Sequence, residues 1–158
     1  MSEQTYKLTT IVNSGLWANS YIVFRGQEAL VVDPGRDWEQ ILRFLKANAL
    51  SSVTVVATHG HFDHVGALED LAAAWDVPVY AHVLEHPYLS GQASYPPGEP
   101  RVGGGMMAAA AGLYPTAPVD VGARLRALPE DGSLPFLHGW RWIHTPGHSV
   151  GHVSFWRE

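Results

Sequence analysis

Short apolar runs in the first half of the chain predict strands of two kinds. Residues 6–12 and 20–24 are rich in β-branched and aromatic side chains, which is typical of strands. Residues 29–32 are a continuous apolar run, the pattern of a strand that is buried on both faces, and residues 53–57 predict the next buried strand. Residues 25–28 lie between two of these runs and predict a hairpin turn.

Two further segments have the spacing of amphipathic helices, with apolar residues at i, i+3, i+4 and i+7. These residues are Trp38, Ile41, Leu42 and Leu45 in the first helix, and Leu68, Leu71, Ala72 and Trp75 in the second. Asp37 is placed to cap the first helix, and residues 79–81 predict another strand. The order β-β-β-α-β-α-β predicts an α/β layered fold. Residues 1–158 are predicted to form a single domain, because no internal repeat is visible.

The second half of the chain has a weaker periodic signal. Residues 90–105 are rich in Pro and Gly and predict a long surface loop that serves as a lid or pocket wall; a disordered insertion is the alternative. Residues 106–113 predict a short helix. Residues 140–143 and 153–156 predict two strands.

Composition limits the class of protein. Of 158 residues, 46% are hydrophobic and 16% are charged, which is typical of a globular chain. With no cysteine, a metal site must be built from imidazole and carboxylate groups. The polar N-terminus and the lack of an apolar run of ~20 residues predict a soluble cytoplasmic protein that does not insert into membranes. The formal charge of −5 and the scattered basic residues argue against nucleic-acid binding.

The candidate chemistry lies directly after the strand predicted at residues 53–57. There His59, His61, Asp63 and His64 fall within six positions. Imidazole and carboxylate groups bind zinc and related transition metals, and a turn at the end of a strand can direct several of them to one point. A set of unrelated surface side chains is the alternative, but four polar groups would then crowd the end of the sheet without partners.

A second histidine cluster, at residues 144–148, also follows a predicted strand and lies about 80 residues later. His148 stands beyond a Pro-Gly turn and therefore on a loop. As a ligand from a distant strand it would complete a three-histidine site with His59 and His61.

These segments resemble the metallo-β-lactamase-fold hydrolases, including the glyoxalase II-like branch. Residues 58–66 match the family pattern T-H-x-H-x-D-H-x-G, and residues 145–152 are similar to T-P-G-H-T-x-G-H. Residues 19–35 resemble the N-terminal hairpin and turn of the family. The resemblance implies an αββα sandwich, of which this chain would contain the first half plus the start of the second.

The same resemblance implies roles for the site residues. His59, His61 and His148 would hold the first metal ion, and Asp63 and His64 would begin a second site. Zinc is the expected metal, as one or two ions, with iron or manganese as alternatives. Asp63 would also be catalytic.

Six supporting or unrelated positions complete the set of predictions. Asp33 would lie close to the metals without binding them. The alternative interpretation is that Asp33 is an ordinary turn residue with no role at the site. His152 would support the His148 loop, and His144 would cap the end of a strand. The other histidines, which match no ligand position, are predicted to be surface or packing residues: His82, His86 and His138.

The chain also departs from the family pattern. The family has a metal-bridging aspartate after the T-P-G-H motif and a histidine further on, and neither follows His152. We therefore expect a chain that is truncated relative to the family, with a second metal site that is weak or empty. An exposed sheet edge would be covered in a homodimer or by exchange of elements between two copies.

The predicted chemistry is metal-assisted hydrolysis of a small ester, thioester, lactone or amide by a metal-activated hydroxide. Asp63 would orient the nucleophile and take up its proton. An iron-dependent dioxygenase that acts on persulfides is the second hypothesis. A nuclease is disfavoured by the charge, and metal binding without catalysis is the hypothesis that involves no enzyme.

Overall fold

A six-stranded sheet forms the frame of the protein in the computed structural model, which describes residues 5–13, 18–97, 101 and 105–157. The strands of this sheet, in chain order and in spatial order, are β1 (Lys7–Val12), β2 (Asn19–Arg25), β3 (Glu28–Val32), β4 (Ser52–Val56), β5 (Val79–Ala81) and β6 (Leu125–Ala127). The first three pair antiparallel, and β3 to β6 pair parallel. A separate antiparallel hairpin consists of β7 (Trp140–His144) and β8 (Val153–Arg157).

The helices are α1 (Trp38–Ala47), α2 (Phe62–Val65), α3 (Leu68–Trp75), α4 (His86–Leu89) and α5 (Gly105–Ala109). Both predicted amphipathic helices are present as α1 and α3. The predicted cap of α1 is also present, since Asp37 Oδ1 accepts a hydrogen bond of 3.1 Å from the backbone N–H of Gln40. Ile41 and Leu45 of α1 and Leu71 of α3 are fully buried, as the spacing predicts.

The structure contains elements that the sequence pattern did not predict. Strand β6 adds to the sheet edge, α2 forms inside the histidine-rich turn, and the 3₁₀ helix Val83–Glu85 runs into α4. The helix predicted at 106–113 is divided into α5 and a 3₁₀ turn at Ala111–Leu113.

Part of the predicted loop at 90–105 packs against the rest of the protein. Ser90 forms a β-bridge with Asp120, and the buried Tyr95 donates its backbone N–H to the carbonyl of Thr116 at 2.9 Å. Residues 90–97 therefore fit the predicted lid or pocket wall rather than the alternative of a disordered insertion. Residues 98–100 and 102–104 of that prediction lie outside the described residues.

Apolar side chains are buried on both faces of the central strands β3 and β4, both of which were predicted to be buried. Val31 and Val55 face the side covered by α1 and α3, while Leu30 and Val56 face a second cluster that includes Val153 of β8. Because β3, β4 and β5 are parallel, their carboxyl ends meet at one edge of the sheet. Among the described residues, no helix is long and apolar enough to cross a membrane.

Candidate metal centre

Three histidines from two distant loops converge at the carboxyl edge of the sheet. His59 and His61 follow β4, and His148 lies in the loop between β7 and β8. One ligand nitrogen from each of the three lies within 4.8 Å of the others, and their ring centroids are mutually 4.7 Å apart. His61 Nδ1 and His148 Nε2 are separated by 3.0 Å. The structure thus brings together the three residues predicted for the first metal ion.

Backbone pairing explains why the two loops meet. The backbone N–H of Val153, the first residue of β8, donates to the carbonyl of Thr58 at 3.1 Å. The hairpin loop therefore lies against the turn that follows β4. Within that loop, Thr145 Oγ1 is 2.9 Å from His152 Nδ1, and this contact joins its two ends.

His59 is oriented by a chain of hydrogen bonds that leaves one nitrogen directed at the site. Thr58 Oγ1 donates to Asp33 Oδ2 at 2.6 Å, so its lone pairs are available to accept from His59 Nδ1, which is 3.0 Å away. This assignment places the proton on Nδ1 and leaves a lone pair on Nε2. The Nε2 atom is buried and has no hydrogen-bond partner among the described residues.

The environment favours the neutral, metal-binding form of all three imidazoles. Burial lowers the pKa of His59 strongly, and the nearby His64, His61 and His148 lower it further. Burial also lowers the pKa of His61 and of His148, to which the proximity of other histidines adds. A buried lone pair without a donor is unfavourable, and a metal ion would satisfy it. The donor set of three neutral imidazoles fits a catalytic zinc site, which keeps one open position.

Asp33 and His64 form a second group beside His59. His64 Nδ1 lies 2.9 Å from Asp33 Oδ2, and Asp33 Oδ1 accepts from the backbone N–H of Thr58 at 2.7 Å. Burial lowers the pKa of His64, but the hydrogen bond and charge of Asp33 outweigh it, so that the net shift is upward. His64 Nε2 is 3.5 Å from Asp63 Oδ2. Asp63 therefore adjoins His64, as a shared second site requires. The second group of three potential metal ligands, however, consists of Asp33, His59 and His64, and Asp63 belongs to neither group.

A cavity of about 210 Å³ opens directly beside the three histidines. Its lining residues are His61, Phe62, Asp63, Tyr95, Pro96, Ala111, Tyr114, Pro115, Thr116 and His148. Aromatic rings and prolines dominate this wall, and among the described lining residues none is Lys or Arg. The cavity therefore suits an uncharged group next to the metal-binding nitrogens.

Residues 16–158 match the family model of the metallo-beta-lactamase superfamily. The chain belongs to this superfamily. It is 49% identical over 104 residues to "Probable metallo-hydrolase YflN" of Bacillus subtilis, an alignment that covers 66% of this chain and 39% of that protein. The predicted metallo-β-lactamase α/β fold is thereby confirmed.

Two solved structures of the superfamily are similar to this chain. The B3 metallo-beta-lactamase BLEG-1 has a TM-score of 0.68 at 29% identity, over 96% of this chain and 67% of that one. The protein TTHA1623, solved in a di-iron-bound form, has a TM-score of 0.68 at 32% identity, over 94% of this chain and 66% of that one. The chain spans about two-fifths of the length of the Bacillus relative and two-thirds of these structures.

The other four histidines of this superfamily member are His82, His86, His138 and His144. His144 Nε2 is 2.9 Å from the carbonyl of Val150, and its ring stacks on His82 with centroids 4.3 Å apart. His86 Nε2 is 3.2 Å from the carbonyl of Ala81, and the side chain of His138 is exposed. These contacts are those of packing and surface residues.

Two residues beside the centre were not singled out by the sequence pattern. Glu85 is fully buried, and its Oε2 accepts from the backbone N–H of Gly60 at 2.9 Å. Tyr95 donates its hydroxyl to the same carboxylate, and its ring lies 4.5 Å from that of His61. Burial and the hydrogen bond to Glu85 raise the pKa of Tyr95, so its hydroxyl stays protonated as a donor. The sequence could have pointed to Glu85 by its position, because Glu85 follows β5 at the same sheet edge as Asp33 and His59.

We expect the metal-free protein to lose stability as the pH falls below about 6.5, the ordinary pKa of histidine. The pKa of His59 is lowered in the folded chain, so the unfolded chain binds more protons in this range. The slope from His59 alone approaches about 1.4 kcal/mol per pH unit well below pH 6.5, where the unfolded histidine is fully protonated. The raised pKa of His64 opposes this trend, because its contribution is present at low pH and lost as pH rises.

Urea unfolding of chelator-treated protein between pH 7.5 and 5.5 measures this slope. The His59→Gln variant should have a shallower slope than the unsubstituted chain, whereas His138→Gln, changed at an exposed position, should not differ from it. Equal slopes for His59→Gln and the unsubstituted chain would contradict the buried, neutral state of His59.

Proposed function

We propose that this protein is a metal-dependent hydrolase of small carbonyl substrates, with zinc at the site formed by His59, His61 and His148. The observation that carries the proposal is the buried His59 Nε2, which lacks a partner among the described residues and faces two neutral imidazoles. When bound there, zinc would lower the pKa of a water ligand to about 7 and polarise a carbonyl oxygen. Iron and manganese are the alternative metals, and the similar TTHA1623 was solved in a di-iron-bound form.

Asp63 is proposed to be the proton acceptor of the reaction. It lies on the wall of the cavity, next to the loop that carries His61, and its carboxylate is partly exposed to that space. A carboxylate in this place can orient the attacking water and take up its proton. Asp33 holds His64 Nδ1, and so keeps His64 Nε2 beside Asp63.

Asp63 and His64 are further proposed to bind a second ion more weakly than the first site binds its own. Two described ligand groups offer fewer bonds to an ion than three converging imidazoles. Titration with zinc should therefore show one tight step followed by a weaker one.

The substrate is proposed to be a small ester, lactone, thioester or amide whose group next to the carbonyl is uncharged. Tyr95, Pro96 and Pro115 present apolar surface to this group and exclude water from it. An anionic group would find no Lys or Arg among the described lining residues. Nucleic acid is not proposed as a partner, since the net charge is −5.

The test compares zinc-loaded and chelator-stripped protein on nitrophenyl esters with uncharged and with carboxylate-bearing acyl groups, a lactone, a thioester and a chromogenic β-lactam. We expect hydrolysis of an uncharged substrate that disappears on stripping, returns with zinc, and falls about 100-fold or more in Asp63→Asn, a typical loss of general-base catalysis. Hydrolysis that survives complete metal removal would contradict the proposal. Oxygen consumption with a persulfide by iron-loaded protein, without hydrolysis, would favour the dioxygenase hypothesis instead.

A further inference from the structure

Glu85 is a buried carboxylate that forms no salt bridge with the described residues for which contacts are given. Its side chain is 0% exposed. A buried charged group is costly unless it accepts several hydrogen bonds. The position of those hydrogen bonds therefore indicates what the residue does.

One oxygen of Glu85 holds the first histidine loop. Oε2 accepts from the backbone N–H of Gly60 at 2.9 Å and from the hydroxyl of Tyr95. Gly60 is the single residue between His59 and His61, so this bond fixes the backbone from which both imidazoles project.

The other oxygen of Glu85 holds the second histidine loop. Oε1 accepts from Ser149 Oγ at 2.9 Å and from the backbone N–H of Gly151 at 2.7 Å. Ser149 directly follows His148, and Gly151 directly precedes His152. His61 and His148, which lie on the two loops, are 87 residues apart in sequence, and a single carboxylate joins the loops.

Two glycines make room for Glu85 and for its hydrogen-bond partner Tyr95. A Cβ atom at Gly60 would lie 2.8 Å from Tyr95 Cε2, and a Cβ atom at Gly151 would lie 2.7 Å from Glu85 Cγ. Both distances are shorter than real Cβ contacts. The backbone on each side of Glu85 is thus adapted to the bridge.

We propose that Glu85 is a positioning residue that sets the spacing between the two metal-binding loops. It holds His59 and His61 through one oxygen and His148 through the other, without touching the metal. The inference rests on the proposed metal site formed by these three histidines.

The Glu85→Gln variant tests the bridge with little change of shape. The amide has an acceptor oxygen on one side only, so its NH₂ group must face the backbone N–H of either Gly60 or Gly151 and repel it. We expect the affinity for zinc, measured by competition with a chromophoric chelator, to fall about 10- to 100-fold, the loss typical of groups that orient metal ligands. Glu28→Gln is the matched control, since Glu28 is exposed at the opposite end of β3, and its zinc affinity should not change.

Ser149→Ala provides a second, milder variant that removes one donor to Oε1 and leaves Glu85 in place. We expect a loss of zinc affinity of about threefold to tenfold, and a smaller rise in melting temperature on zinc addition than in the unsubstituted chain. This variant keeps the test open if Glu85→Gln does not fold.

Each outcome separates positioning from a purely structural role. If Glu85→Gln lowers only the melting temperature of the metal-free chain, and its folded protein binds zinc as tightly as Glu28→Gln, the inference is overturned. Unchanged zinc affinity in Ser149→Ala, where Glu85→Gln does not fold, would also overturn it. Failure of the unsubstituted chain to bind zinc would instead overturn the proposed metal site, and with it the inference.

Discussion

The His61→Ala variant is expected to lose tight zinc binding while remaining folded. His61 is only partly buried, so its removal leaves no large cavity, yet its Nδ1 lies 3.0 Å from His148 Nε2 at the point where the imidazoles converge. Two imidazoles then remain of the three. We expect the affinity for zinc to fall by more than about 100-fold, the upper limit for groups that only orient the ligands. Zinc-dependent hydrolysis should be lost with it.

The measurement is a zinc titration against a chromophoric chelator, together with the circular dichroism spectrum of each variant. His138→Ala is the matched control, because this histidine is exposed and belongs to neither loop of the site. A folded His61→Ala protein that binds zinc like His138→Ala would show that His61 is not a ligand.

The second large effect is a loss of stability in Asp33→Ala. The buried carboxylate accepts from Thr58 N at 2.7 Å and from Thr58 Oγ1 at 2.6 Å, and it pairs with His64 Nδ1 at 2.9 Å. Its removal leaves the partly buried N–H of Thr58 and the partly buried imidazole of His64 without their acceptor. We expect the free energy of unfolding to fall by about 3 kcal/mol.

Urea unfolding of the metal-free variants at pH 7 measures this difference. Asp70→Ala, at an exposed position in the first turn of α3, should change the free energy of unfolding by less than about 1 kcal/mol. Asp33→Asn, which retains one acceptor oxygen, should fall between the two. A loss in Asp33→Ala no larger than in Asp70→Ala would contradict the role assigned to this carboxylate.

Sequence patterns predicted the strands and helices whose signal is local. The apolar runs before residues 33 and 58 correspond to β3 and β4, and the i, i+3, i+4, i+7 spacing corresponds to α1 and α3. Strand β6 has only three residues, and their partly or fully exposed side chains show no alternation. It is specified by pairing with β5, a contact between distant segments.

In the candidate site, too, the residues with a local sequence signal were predicted and the residue that depends on distant contacts was not. His59, His61, Asp63 and His64 stand in one short segment, and His148 follows a similar strand, so a pattern of residue types was sufficient to select them. Glu85 differs because its partners lie 10 to 66 residues away, and nothing local distinguishes a buried glutamate from an exposed one. Its role becomes visible only when both loops are placed around it.

The most direct test of the metal centre is the metal content of the unsubstituted chain after purification and exhaustive dialysis against zinc-containing, then zinc-free, buffer. Elemental analysis should find about one tightly bound ion per chain, as expected for three imidazole ligands with an open fourth position. The same treatment of a variant with His59, His61 and His148 all changed to alanine should leave none. A folded, unsubstituted chain that retains no more metal than this triple variant would contradict the account.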